Sequence, residues 1–293
     1  MIKAKNLRGL DPHLTALAKL IEQNAHQHRS FTVFTDFCEL AALSISNAVD
    51  RLHYAKREER YLQIAGKYSA EEMARFPRML AELVQSLEAC RHDALGSLFM
   101  ACEFGDDAKG QFFTPYSLSS LMARMLLGDA ADVVARGDFV TVNEPACGAG
   151  GMVIAFADAL ASMNISVHQH MHAVAQDIDL TAVHMAYVQL SLLHIPAIVI
   201  HGNSLALTEW DHWVTPAHVM HFWDRKLARR AAAEATTSAT GATPESPTVA
   251  PGSEAPAAGD ESAPQAPSPA PAEDLRTTVA RARIARDTQL TLF

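Results

Sequence analysis

The stretch Val140-Thr-Val-Asn-Glu-Pro-Ala-Cys-Gly-Ala-Gly-Gly151 decides how this chain is read. A β-branched, apolar run from Phe139 to Val142 ends at Glu144, a glycine-rich turn follows, and the residues from Met152 onward predict a helix. Gly148, Gly150 and Gly151 allow a positive φ or a close approach of a ligand to the backbone. The first turn of the helix leaves N–H groups free for a polar or anionic ligand. A tight strand-to-helix connection without chemistry is the alternative, so the reading has to be tested on the residues around it.

Downstream, the pattern repeats. The helix Met152–Leu160 leads to a second strand, His172–Gln176, which ends at Asp177-Ile178-Asp179. A carboxylate at the end of a second strand can accept from both hydroxyls of a ribose, and Asp177 stands there; Asp177 or Asp179 can equally cap the next helix. That helix, Leu180–Leu193, runs to a third strand, Ala197–Ile200, and the turn Gly202-Asn203-Ser204-Leu205. The Asn203 amide can donate to and accept from an adenine edge, or serve only as a turn residue. His168, His170 and His172 alternate as on one face of a strand, with no carboxylate or cysteine to complete a metal set, so a solvated strand end is expected and no metal.

Upstream, residues 14–108 read as helices, with stripes such as Leu14, Leu17, Ala18 and Ile21, or Ala41, Ile45, Ala48 and Val49, that form core. Pro77 suits a first helical turn. Lys56, Arg57 and Arg60 sit among acids and read as a solvated helix face, with a phosphate-contacting role as the alternative. Across the whole chain 49% of residues are hydrophobic, enough for a substantial core, and no leader or membrane span is read. Cys38, Cys90, Cys102 and Cys147 lack metal spacing, which suits a reducing compartment. The formal charge of −9 argues against strong autonomous binding to DNA.

A second motif sharpens the first. A helix Asp93-Ala-Leu-Gly-Ser-Leu-Phe-Met100 leads into Lys109-Gly-Gln-Phe-Phe-Thr-Pro115. Phe112 or Phe113 can cover a flat or thioether-bearing ligand, and Thr114 is expected to cap the helix that Pro115 starts. Together the two motifs resemble S-adenosylmethionine-dependent N6-adenine DNA methyltransferases, most closely the modification subunits of type I restriction systems. The resemblance covers roughly residues 89 to 207. It implies an α/β fold with a Rossmann-like methyltransferase core, S-adenosylmethionine as cofactor, and a bacterial cytoplasmic setting. The implied cofactor residues are Phe113, Thr114, Pro115, Glu144, Pro145, Ala146, Cys147, Gly148, Gly150, Gly151, Met152, Asp177, Ile178 (against the adenine) and Asn203. The implied partners are DNA, a specificity or modification subunit, or a second copy.

The resemblance stops where the chemistry would begin. The family's (Asn/Asp/Ser)-Pro-Pro-(Tyr/Phe) turn, which holds the flipped adenine, has no counterpart: Thr215-Pro216 lacks the second proline and the aromatic. No catalytic residue is therefore assigned. No strand beyond the third is expected, and Trp210, Trp213, Phe222 and Trp223 read as a terminal helix and its cover, with a base-stacking shelf as the alternative. The first strand would then keep an open edge in need of a cover. Three readings follow: an adenine methyltransferase, an inactive cofactor-binding accessory protein, and a methyltransferase acting on RNA or a small molecule.

The rest of the chain is tail. Eight of the fourteen prolines fall in residues 231–274, which read as a disordered linker. The last five residues, Gln289-Leu290-Thr291-Leu292-Phe293, resemble the pentapeptide by which bacterial polymerases dock on the sliding clamp. In that reading Leu290, Leu292 and Phe293 fill a cleft and Gln289 adds a hydrogen bond; a chance pentamer, or a segment packing back on the body, is the alternative. The expected domains are a helical 1–108, a cofactor-binding 109–228, a linker 229–288 and the motif 289–293.

Overall fold

A computed structural model describes residues 2, 6–104, 113–240 and 290–291. Its helices and strands are α1 (Pro12–Asn24), α2 (Ser30–Val49), α3 (Tyr54–Ala65), α4 (Ala70–Met73), α5 (Arg75–Ala89), α6 (Ala94–Ala101), α7 (Tyr116–Leu126), α8 (Ala130–Ala135), β1 (Val140–Glu144), α9 (Gly151–Ser162), α10 (Val167–His170), β2 (Met171–Asp177), α11 (Leu180–Leu192), β3 (Ala197–Asn203), β4 (Thr208–Val214), α12 (Pro216–Met220), α13 (Trp223–Thr240) and β5 (Leu290–Thr291). Two compact units result: residues 1–223 with 289–293, and residues 224–288.

Local chemistry starts the helices where the sequence suggests. Asp11 accepts from the N–H groups of His13 and Leu14 ahead of Pro12, and Ser69 and Glu72 cap α4 reciprocally. Asp93 caps α6 through the Gly96 N–H, and Asp179 caps α11 through Thr181 and Ala182. Thr114, in contrast, makes no cap. Helix α7 begins at Tyr116, with Pro115 itself in the capping position and no side-chain hydrogen bond there.

The sheet runs β4-β3-β2-β1-β5. β1, β2 and β3 are parallel, in the register Val142↔Ala173 and Ala175↔Val199, and these residues are fully buried, as parallel strands covered by helices require. α9 packs on β1, β2 and α7, while α11 packs on β2, β3, α2 and α6. The N-terminal helices therefore share one apolar core with the sheet. β5 lies parallel to β1 opposite Val142 and Asn143, and so supplies cover at two positions of the expected open edge.

Three sequence expectations fail. A fourth strand exists: β4 pairs antiparallel with β3, and Trp210 and Trp213 lie on it rather than on a terminal helix. Its period is hidden because the register jumps from His201↔Asp211 to Gly202↔Glu209, a bulge that leaves Trp210 as the extra residue. Phe222 is exposed, and of the expected cover only Trp223 is buried, edge-on to Phe139. His168 and His170 belong to α10 and only His172 to a strand, where it is buried and shares a 2.8 Å hydrogen bond with His218. His194 and His221 form a second pair of the same length. Arg57 is not solvated: it is buried, reaches Ser46, Asp50 (2.7 Å) and the carbonyl of His212, and lies 4.1 Å from the centre of the Trp213 ring.

In the second unit α13 continues to Thr240, past the expected start of the linker, with Arg230 and Glu234 paired one turn apart. The remaining linker and the side chains of the terminal motif lie outside the described residues, as does Phe112.

Candidate cofactor site

At the end of β1 the chain turns through Gly148 (φ 52°) and Gly150 (φ 89°), both left-handed, before α9 begins. Each needs glycine for a second reason. A Cβ on Gly148 would stand 2.8 Å from the Phe113 ring, and one on Gly150 would press on Ala186 at 3.4 Å. The turn is pinned from below. Asp177 accepts from the Gly148 N–H (2.8 Å) with one oxygen and from the Asp179 N–H (2.9 Å) with the other. The Cys147 N–H donates to the carbonyl of Gln176 at 2.9 Å.

A buried clasp holds the turn from the side. Gln189 on α11 donates to Asp93 (2.9 Å) and to the carbonyl of Ala149 (2.8 Å), and accepts from the Leu95 N–H (3.0 Å). One fully buried amide thus joins the glycine turn, α6 and α11. The pairing is obligatory, because burial drives the Asp93 carboxyl up while the hydrogen bonds from Gln189 and Gly96 hold it down.

Glu144 is the exceptional group. One oxygen accepts from the Ala146 N–H at 3.2 Å; the other is buried with no partner among the described residues. Burial lifts its carboxyl to about 7, with the nearby Asp177 adding to the rise and the Ala146 N–H opposing it. Burial is also the largest influence on Asp177, which it raises, against its backbone hydrogen bonds.

Phe113, Thr114, Glu144, Ala146, Cys147, Gly148, Gly151 and Met152 line one cleft of about 100 Å³. Asp93, Ser119 and Ala149, which sequence reasoning did not assign, line it too. Asp93 offered a signal as the residue opening the Ala94 helix, and Ser119 none. Pro115, Pro145, Gly150, Asp177, Ile178 and Asn203 stand outside that lining. Ile178 is 59% exposed beside Asp177, so an apolar surface is available to a ring there. The Asn203 side-chain oxygen Oδ1 accepts from the N–H groups of Leu205 and Ala206 and so holds its own turn.

Comparison with known proteins places this site in context. Residues 99–222 match the family profile described as N-6 DNA Methylase. No curated protein matches. Among solved structures, a Listeria monocytogenes protein assigned to the class I S-adenosylmethionine-dependent methyltransferases aligns at 16% identity over 68% of this chain and 56% of its own, with a TM-score of 0.38. The type I restriction-modification methyltransferase subunit of Streptococcus thermophilus aligns at 15% identity over 67% of this chain and 44% of its own, with a TM-score of 0.29. The chain thus spans about half the length of these proteins.

Proposed function

We propose, from the match of residues 99–222 to the N-6 DNA methylase family, an S-adenosylmethionine-binding, adenine-N6 DNA methyltransferase-like protein that needs a partner chain for turnover. The observation that carries this reading is the unpartnered, buried oxygen of Glu144 beside a left-handed glycine turn. Such an oxygen calls for a donor from a ligand, and the ammonium or hydroxyl groups of the cofactor are donors. The cofactor, when bound, supplies an electrophilic methyl group.

The chain's own residues do the holding. Gly148 carries no side chain, so a ligand can approach the backbone there once the Phe113 ring moves off it. Asp177 has a second lone pair on each oxygen beyond the two backbone N–H groups it already accepts, and these are assigned to the ribose. Ile178 and Asn203 are assigned to the adenine end. The cleft at about 100 Å³ is below the roughly 300–1,000 Å³ of ligand pockets, so binding requires Phe113 to withdraw from Gly148. Thr215-Pro216 does not match the adenine-gripping turn, and that grip is assigned to a second chain, either a modification or specificity subunit or another copy.

Calorimetry with S-adenosylmethionine tests the cofactor assignment, and absence of binding at millimolar cofactor overturns it. Methyl transfer from labelled cofactor to DNA tests the rest: the pure chain is expected to be inactive and a cognate partner to restore transfer. The missing turn also supports a second reading, an inactive accessory protein held at the sliding clamp by residues 289–293. Since the backbone of Leu290 and Thr291 pairs with β1 here, clamp binding would require their release. A peptide of the last ten or so residues that fails to bind a clamp removes that reading.

A further inference from the structure

We propose that the cavity between α3 and the β3–β4 edge is a nucleobase-binding site, separate from the glycine-turn cleft. It encloses about 430 Å³, within the range of small-ligand pockets, and shares no lining residue with that cleft.

The walls are aromatic. The β-bulge places Trp210 next to Asp211 on the cavity, where the indole is 55% exposed and meets the His201 ring at 4.7 Å and 68°. Bulges commonly re-aim a side chain beside a site. A large ring held half in solvent by a strand distortion presents a flat face for stacking, and stacking on indole does not depend on the identity of the base. Trp213, His184, Leu43 and Leu180 line the cavity as well.

A second observation points to a ligand independently of the first. Trp213 is 3% exposed, and its Nε1–H has no acceptor among the described residues. A buried donor left open is costly, and an acceptor brought by a ligand relieves it. His184 packs edge-on against Trp213 at 5.0 Å; burial lowers its pKa to about 4, so at neutral pH it is an uncharged imidazole offering one donor and one acceptor. Donors and acceptors between aromatic walls suit a heteroaromatic edge better than an aliphatic chain.

Charge favours a base over a polyanion. Three cations, Lys56, Arg57 and Arg60, are balanced by Glu39, Glu59 and Asp211. Arg60 is held in a two-pronged bond to Glu39 (2.6 and 2.8 Å), and Arg57 is held by Asp50. Lys56 alone has no carboxylate partner among the described residues, room for one phosphate at the rim and no more.

The test uses the full chain and calorimetry with adenosine, cytidine, their 5′-monophosphates and a short single-stranded oligodeoxynucleotide, each with and without saturating S-adenosylmethionine. Both nucleosides are expected to bind in the presence of the cofactor. Trp210→Ala should weaken them about five- to hundredfold while leaving cofactor binding unchanged, and Trp210→Phe should retain most of the affinity. Lys56→Ala should weaken only the phosphate-bearing ligands. A strand binding at least about tenfold tighter than the monophosphate assigns the base to nucleic acid, and equal binding assigns it to a free nucleotide. Failure of every base to bind at millimolar concentration overturns the proposal. So does displacement by the cofactor, which would make this cavity the cofactor's own adenine pocket. Gly148→Ala, which should damage cofactor binding alone, separates failure here from failure of the cofactor assignment.

Discussion

Two cavities among the described residues, the glycine-turn cleft and the one beside β4, are built from different materials. The glycine-turn cleft is built around one stretch of chain, Glu144 to Met152, closed by Asp93, Phe113, Thr114 and Ser119, and burial raises the carboxyls of both Asp93 and Glu144. The cavity beside β4 is made of side chains brought from α2, α3, α11, β3 and β4, with an imidazole that burial keeps neutral. The first site rests mainly on a few consecutive residues around the turn, whereas the second depends on where distant elements meet. The first therefore tolerates few changes at single positions, and the second should yield in steps.

The largest expected break is Gln189→Leu, which leaves the carbonyl of Ala149 buried without its donor and the Asp93 carboxylate with only the Gly96 N–H. It should lower stability by about 2–3 kcal/mol in urea denaturation and take cofactor binding with it. Gly148→Ala comes next. The left-handed backbone alone costs about 1–2 kcal/mol, and the new methyl group meets Phe113. Asp177→Ala should weaken cofactor binding by about tenfold, roughly 1.4 kcal/mol, through loss of charge-assisted hydrogen bonds. None of these should touch base binding beside β4 unless the fold itself fails.

Acidity separates the two cavities more finely. The Glu144 pKa is raised to about 7, so its contribution to stability is complete below the ordinary carboxyl range and is lost as pH rises through about 7. That of His184 is lowered to about 4, so its contribution is complete above about 6.5 and is lost as pH falls toward 4. The slopes oppose between these ranges, so the denaturation midpoint should be nearly flat there. Glu144→Gln should make stability rise with pH, by up to about 1.4 kcal/mol per pH unit, and His184→Phe should make it fall. Cofactor affinity should grow as pH rises through about 7, because an ionised Glu144 attracts a cationic ligand. The smallest effect is expected at the half-exposed Arg60–Glu39 pair, where Glu39→Gln should cost no more than about 1 kcal/mol.

The unequal construction also explains what could be read from the residues alone. The run from Val140 to Gly151 carries its strand, its turn and its ligand-facing atoms within twelve consecutive positions, and β2 and β3 repeat the pattern, so the parallel sheet was legible. β4 was not, because one inserted residue at Trp210 breaks the alternation by which strands are recognised. Arg57 looked solvated because its acidic neighbours in sequence suggest a surface, yet its actual partners include the carbonyl of His212, far along the chain. The Asp93–Gln189 hydrogen bond joins residues whose pairing exists only once α6 and α11 have packed.

That hydrogen bond bears on where the protein can be cut. The family match begins at residue 99, whereas the carboxyl that receives Gln189 sits at Asp93, and Leu95 supplies the third bond. A fragment trimmed to the match would keep every glycine of the turn but leave Gln189 reaching into an empty socket, with α11 free to tilt away from Gly150. The smallest piece able to keep the turn in shape therefore starts upstream of residue 93, and the N-terminal helices serve as the jig in which the loop is set.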